Sequence, residues 1–308
     1  MLSDDSIDRI DVLFDVAKLN DAALSLGDLS LLLSSGATPS ELEEAFERYP
    51  TLKSKYQLRS GFVFERGGDA VVSNELEKRT LATRNITLAS SLSSSLRRGS
   101  SMVIAVSGST SYGSVKRSDD LDFFCVTRED SAWIFFTRAL LLLRALRLAS
   151  PKYSSASVSC VMDFRFAEIM FEREQDALFA RDGLRAIVLD GSAAYTELLR
   201  RAQWMTKYFP QMYANRVGPT GQTIPRDRPS PFVRLLNRFL FATVGRYVRI
   251  RSELENRRLA RTGNEGRAFV TVLGQDHCIF ESSRYRQMRQ IYAGMAAPAV
   301  GSSPRPSQ

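Results

Sequence analysis

Apolar residues along the chain fall into runs that separate strands from helices. Ser101–Val106 is a short unbroken apolar run, the mark of a buried strand, and Leu121–Thr127 reads as a second. Ala156–Phe166 is rich in alternation and reads as a third strand. Between the second and third, Ala132–Leu148 has the length and apolarity of a helix. Residues 74–97 form another, with Leu76, Leu81, Ile86, Leu88 and Leu92 as its apolar positions. Toward the C-terminus the pattern turns helical over Ala193–Tyr208. A Pro/Gly-rich linker from Gly218 to Pro231 precedes a long helix from Phe232 to about Arg261. That helix carries Phe232, Leu235, Leu236, Phe239, Leu240, Val244, Tyr247 and Val248 at helical spacing, which predicts an apolar face.

The first 70 residues form a unit of their own. Leu24–Leu33 is a short apolar helix, and Thr38-Pro-Ser-Glu41 is a capping box that opens the helix Pro39–Arg48. Tyr56–Gly67 then reads as two strands around a turn at Ser60-Gly61. Helix, helix and two-stranded wing is the order of a winged helix, so the pattern predicts such a module over residues 1–70. It is followed by a core over 71–190, a helical basic region over 191–296 and a frayed low-complexity tail over 297–308.

Composition narrows the chemistry. With 308 residues, 44% hydrophobic and 25% charged, the chain has the make-up of a globular protein with a substantial core. Cys125, Cys160 and Cys278 are too few and too scattered for a disulfide framework or a zinc knuckle. The single histidine, His277, argues against histidine metal sites and a Ser-His-Asp triad. Carboxylates, hydroxyls, arginines or a carboxylate-held metal are left to do the work. The acidic N-terminus is unlike a signal peptide, and Arg138, Arg144 and Arg147 interrupt the most apolar stretch. The expectation is a cytoplasmic protein with no membrane partner. Charge is uneven: residues 200–308 hold 19 Lys or Arg against 6 Asp or Glu, in a chain of net charge +8. A basic region of this kind commonly faces phosphate, in a nucleotide or a nucleic acid.

The chemistry concentrates between Val106 and Val126. The first strand runs into Gly108-Ser109, where glycine lets a backbone approach a ligand closely and serine offers a hydroxyl and an N–H. Lys116, in the loop that follows, is placed to neutralise a triphosphate. The second strand begins Asp120-Leu-Asp122, and alternation puts both carboxylates on one face. Two such like charges repel unless a divalent cation lies between them, and hard oxygen ligands suit Mg²⁺ or Mn²⁺. If the third strand pairs beside the second, Asp163 completes a three-carboxylate cluster able to hold two metals and assist a nucleophile.

An apolar-Gly-Ser turn, ten residues, then Asp-apolar-Asp-apolar resembles the nucleotidyltransferase superfamily typified by DNA polymerase β. The wider chain is similar to prokaryotic nucleotidyltransferases with a winged-helix-like N-terminus, a hairpin such as Gly61–Phe64 and a basic helical tail. The resemblance implies an α+β fold with a small mixed sheet flanked by helices. It also implies transfer of a nucleoside monophosphate from an NTP, ATP by default, to an acceptor hydroxyl. Gly108 and Ser109 match the phosphate-binding pair, Asp120 and Asp122 the metal-binding pair, and Asp163 the third carboxylate by strand position alone. Asp119 departs from the pattern, standing where a serine is usual. The alternative is an inactive nucleotidyltransferase-like protein that contacts nucleic acid or a protein partner.

Overall fold

The computed structural model describes residues 4–97, 99–218, 229–264, 266 and 268–295. It opens with α1 (Asp4–Leu19), the two-residue β1 (Leu24–Ser25), α2 (Leu26–Leu32), α3 (Pro39–Arg48) and α4 (Pro50–Lys55). The hairpin β2 (Tyr56–Arg59) and β3 (Phe62–Glu65) follows. The capping box forms as expected: Glu41 N donates to Thr38 Oγ1 at 3.3 Å, and Thr38 N to Glu41 Oε2 at 2.8 Å. Ser60 and Gly61 make the hairpin turn, both at positive φ, as a two-residue turn between twisted strands requires. Leu24–Leu33 is not all helix. Ser25 accepts from Asp28 N at 3.0 Å and caps α2, which releases Leu24 and Ser25 to pair antiparallel with β3. The strand order is β1-β3-β2.

A long helix, α5 (Asp69–Leu96), leads to β4 (Ser101–Val106), the single turn α6 (Ser109–Tyr112) and β5 (Leu121–Thr127). After these come α7 (Ala132–Ala149), β6 (Ala156–Asp163), α8 (Phe164–Glu172), α9 (Ala177–Arg185) and β7 (Ile187–Asp190). The helices α10 (Ser192–Arg201) and α11 (Pro210–Arg216) follow; α12 (Pro231–Leu240) and α13 (Arg246–Arg261) come next. Last are β8 (Phe269–Leu273), β9 (His277–Ser282) and α14 (Ser283–Ala293). The larger sheet has the order β7-β4-β5-β6-β9-β8. It is mixed: β5 and β6, joined by the α7 crossover, are parallel, and the other neighbours are antiparallel. The fold class is therefore α+β with a mixed sheet and flanking helices.

Alternation divides β5 between two cores. Leu121, Phe123 and Cys125 pack with Leu92 and Leu96 of α5 and with Trp133 and Phe136 of α7. Phe124 and Val126 face the other way, with Val103 and Ala105, toward α8, α9 and α10. This second core continues into Ile10, Leu13 and Phe14 of α1 and Tyr292 of α14, so the N-terminal module shares its apolar interior with the sheet.

Three helical expectations change. The run Ala193–Tyr208 breaks at Ala202, after which Gln203–Lys207 is a 3-10 turn. Leu76 faces outward, 61% exposed. The long C-terminal helix exists, with a π turn at Phe241–Gly245 between α12 and α13, but α12 is turned over. Phe232, Leu235 and Phe239 are 72%, 67% and 61% exposed, whereas Asn237 is fully buried. Asn237 Oδ1 accepts from Trp133 N at 2.8 Å, and its Nδ2 donates to Gln275 O at 3.0 Å. A helix-terminal N–H and a loop carbonyl buried together need partners, and one amide supplies both.

The expected linker falls largely on 219–228, and the expected tail on 297–308, outside the described residues. Among the described residues no helix is long and apolar enough to cross a membrane.

Candidate active site

The turn after β4 is built around Gly108. Ser107 N donates to Asp122 O at 3.1 Å, which carries the β4–β5 pairing one residue past the strand. Gly108 then takes φ 67° and ψ −152°, a combination reserved for glycine. A Cβ built there would lie 3.6 Å from Asp122 Oδ2, so bare backbone faces the carboxylate. Ser111 closes the turn, donating to Gly108 O through its N at 3.0 Å and its Oγ at 2.8 Å. Asn85 of α5 donates to Thr110 Oγ1 at 3.3 Å and pins the turn from behind.

Asp122 lies on the sheet face it shares with Phe124. Ser157 Oγ, its neighbour across the parallel pairing, donates to Asp122 Oδ1 at 2.6 Å. Desolvation pushes the Asp122 carboxyl up to about 6; the Ser157 bond works against this, and the charges of Asp120 and Asp119 add to it. Asp120 stands exposed at the rim. Asp119 is occupied: its Oδ2 accepts from Lys116 N at 2.9 Å and closes the loop. Lys116 Nζ reaches 2.5 Å to Asp21 Oδ2, which ties the loop to the segment between α1 and β1 and holds Asp21 below the usual carboxylate range. The lysine expected to meet a triphosphate thus already has a protein partner, although it lines the same cleft.

Asp163 is not part of this group, and the expectation of a three-carboxylate cluster is corrected. The third strand does pair beside β5, but it runs parallel. Asp122 therefore faces Ser157 at one end, and Asp163 faces Thr127 at the other. At a rise of about 3.3 Å per residue, the two carboxylates are separated by most of a strand. Asp163 instead caps α8. It accepts from Phe166 N at 2.9 Å and from Asp130 N at 3.1 Å. The helix it caps begins at Phe164, where the sequence reading continued the strand.

Among the described residues, no group of three or more His, Cys, Asp or Glu side chains could hold a metal ion. Asp163→Ala is expected to destabilise the fold by about 1–2 kcal/mol, because two N–H donors lose their acceptor. Asp163→Asn keeps an acceptor and is expected to cost less. Denaturant melts should give that order, with nucleotide affinity within about twofold of wild type for both, as expected of a residue remote from the site.

Gly108, Ser109, Lys116, Asp120, Asp122 and Ser157 line one open cleft of about 1160 Å³, which also reaches Leu13, Val16 and Asn20 of the N-terminal module. Asp120 and Asp122, with Asp122 bonded by one serine and repelled by its neighbours, are a donor set suited to a hard divalent cation that completes its shell with water and phosphate.

Two cations that the sequence reading did not single out flank the turn. Arg181 Cζ lies 3.9 Å above the Tyr112 ring, and Arg185 Cζ lies 6.0 Å from it, with Arg185 also 2.7 Å from Asp28. Their i, i+4 spacing on an amphipathic helix was the available signal. His277 takes a packing role, its ring stacked on Phe166 at 4.1 Å and Nδ1 2.7 Å from Asp276 Oδ1. The chain matches no family model, no curated protein and no solved structure.

Proposed function

We propose that the chain is a nucleotidyltransferase that binds an NTP in this cleft, with the triphosphate at Gly108-Ser109 and Mg²⁺ at Asp120 and Asp122. One observation carries the reading: a glycine-only backbone conformation lies against the Asp122 carboxylate, so a phosphate-accepting turn and a metal-binding edge adjoin. The β4, β5, β6 arrangement supports it, being the kind of small mixed sheet the resemblance implies. The order α1-β1-α2-α3-β2-β3, with its three-stranded sheet, likewise supports a winged-helix module.

Mg²⁺ would neutralise the phosphates and polarise the α-phosphorus. The residues of the chain contribute position and charge. Gly108 and Ser109 offer backbone and hydroxyl to the phosphates, Asp120 and Asp122 hold the cation's side of the cleft, and Arg181 adds positive charge behind Tyr112. The acceptor oxygen bonds to the α-phosphorus as the bond to pyrophosphate breaks, and the acceptor proton passes to solvent.

A second reading, nucleotide binding without turnover, is favoured by Ser157, which stands beside Asp122 where a third carboxylate would assist a nucleophile.

Calorimetric titration with non-hydrolysable analogues of the four NTPs, with and without Mg²⁺, tests the site. Mg²⁺-dependent binding that disappears in Asp120→Asn is the expected result; no binding of any analogue sinks both readings. Pyrophosphate release from the natural NTPs, in the presence of candidate acceptors, then separates transferase from binder.

A further inference from the structure

The cleft has a second chemical character away from the Gly108 turn. There its walls are Phe179, Tyr195, Tyr285 and Met288, and among them lies one acid, Asp182 of α9. Asp182 Oδ1 is shut off from bulk water and accepts no hydrogen bond. A carboxyl so placed weakens the fold unless something binds to it. Arg289 is the nearby cation, but its guanidinium is already divided between Asp176, at 2.8 Å from Nε, and Glu281, at 3.4 Å from Nη2. Burial pushes Asp182 up to about 8 against the pull of Arg289. Near neutral pH it therefore presents both an O–H donor and a C=O acceptor.

The two ends of the cleft are joined by a traceable floor. Phe124 follows Asp122 by two residues on the same face, about 7 Å along the strand. Its ring meets that of Tyr195 edge-on, centroids 6.1 Å apart. Tyr195 Oη donates to Gly183 O at 2.6 Å, in the residue next to Asp182. On the other side, Arg181, also adjacent to Asp182, covers Tyr112 at the end of the Gly108 turn. A polar phosphate-and-metal end thus leads to an aromatic end with a single unpartnered acid.

We propose that this aromatic end is a nucleobase subsite, in which Asp182 reads a base edge that sets an exocyclic amino group beside a ring-nitrogen acceptor, as adenine does. The subsite rests on the nucleotide reading of the cleft and adds its base specificity. The rings of Tyr195, Tyr285 and Phe179 supply apolar walls for a flat heterocycle, and the carboxyl group pairs with donor and acceptor together. Uracil, which lacks the amino group, leaves Asp182 unmatched.

The test compares calorimetric affinities of Mg²⁺ with inorganic triphosphate, with an ATP analogue and with a UTP analogue, on wild type, Asp182→Leu and Asp182→Asn. Wild type should prefer the ATP analogue by about tenfold or more, the loss expected when a site built to hydrogen-bond is left unpaired. Asp182→Leu removes a buried unpartnered acid and so should fold; it should bring the preference close to unity and leave inorganic triphosphate binding unchanged. Asp182→Asn keeps a donor and an acceptor and should retain the preference, which a packing role for residue 182 does not predict. NTP binding with no base preference in wild type, or a preference that survives Asp182→Leu, overturns the subsite alone. Failure of every NTP and of inorganic triphosphate to bind overturns the nucleotide reading, and the subsite with it.

Discussion

Asp122→Asn should melt at a higher temperature than wild type at pH 8 without Mg²⁺, and should lose Mg²⁺-dependent nucleotide binding by two orders of magnitude or more. Both effects come from the same carboxylate. Burial, followed by repulsion from Asp120 and Asp119, holds it at about 6 in the folded chain, against about 3.9 when unfolded. A group whose folded value is raised supports the fold while protonated, and that support is lost as pH rises through about 6. At pH 8 the ionised form costs about 2 kcal/mol, an order-of-magnitude figure. Asparagine keeps an oxygen for Ser157 Oγ and carries no charge, so the melting difference should shrink toward zero near pH 4–5. A site that destabilises its own fold unless a cation is present is one selected for the cation. Thermal melts in EDTA at pH 5 and pH 8, paired with calorimetry at pH 8, read both sides. Equal melting temperatures at pH 8, or unchanged nucleotide affinity, would count against this account of Asp122.

What the sequence made legible here is what local chemistry decides. The Thr38 capping box, the Ser60-Gly61 hairpin and the unbroken apolar strand Ser101–Val106 were readable because each is fixed within a few residues. The meeting of Gly108 with Asp122 was also readable, since both lie at the ends of consecutive strands. Asp163 was not. Alternation shows which face a side chain takes, but the direction in which a strand runs against its neighbour is set by the crossover, and that direction carried Asp163 to the far end. Nothing in Phe164-Arg-Phe166 breaks a strand, and only the capping bond to Phe166 N marks the helix start. The register shift between Phe123 and Phe124 sets Ser159 outside the pairing, so even the period was interrupted. Asn237 misled in the opposite sense. Its neighbours Phe232, Leu235 and Phe239 have the spacing of a core face, yet the buried face was chosen by two backbone groups over 30 residues away in sequence.

Gly191→Ala should be the most damaging single-methyl change available in the larger sheet, destabilising the protein by about 4 kcal/mol or more. Gly191 sits at φ 77° between β7 and α10, and a Cβ there would lie 1.8 Å from Met102 O, 2.8 Å from Met102 C and 3.0 Å from Val103 Cα. Every one of those atoms is backbone of β4, so no rotamer change relieves the contact. Relief requires β7 to move off β4, where Ile104 pairs with Asp190 and Val106 with Ile187.

Gly61→Ala provides the control. Its φ is also 77°, but no atom lies within 4 Å of the added Cβ, so only the left-handed strain of about 1 kcal/mol remains. The difference between the two in denaturant midpoint at equal slope isolates the backbone clash, and equal midpoints would refute it. The effect should reach the site as well, because β4 ends at Gly108 and any displacement of that strand moves the turn away from Asp122. Nucleotide affinity per folded molecule should therefore fall in Gly191→Ala and hold in Gly61→Ala, making the packing of one glycine against β4 a condition for the geometry of the cleft.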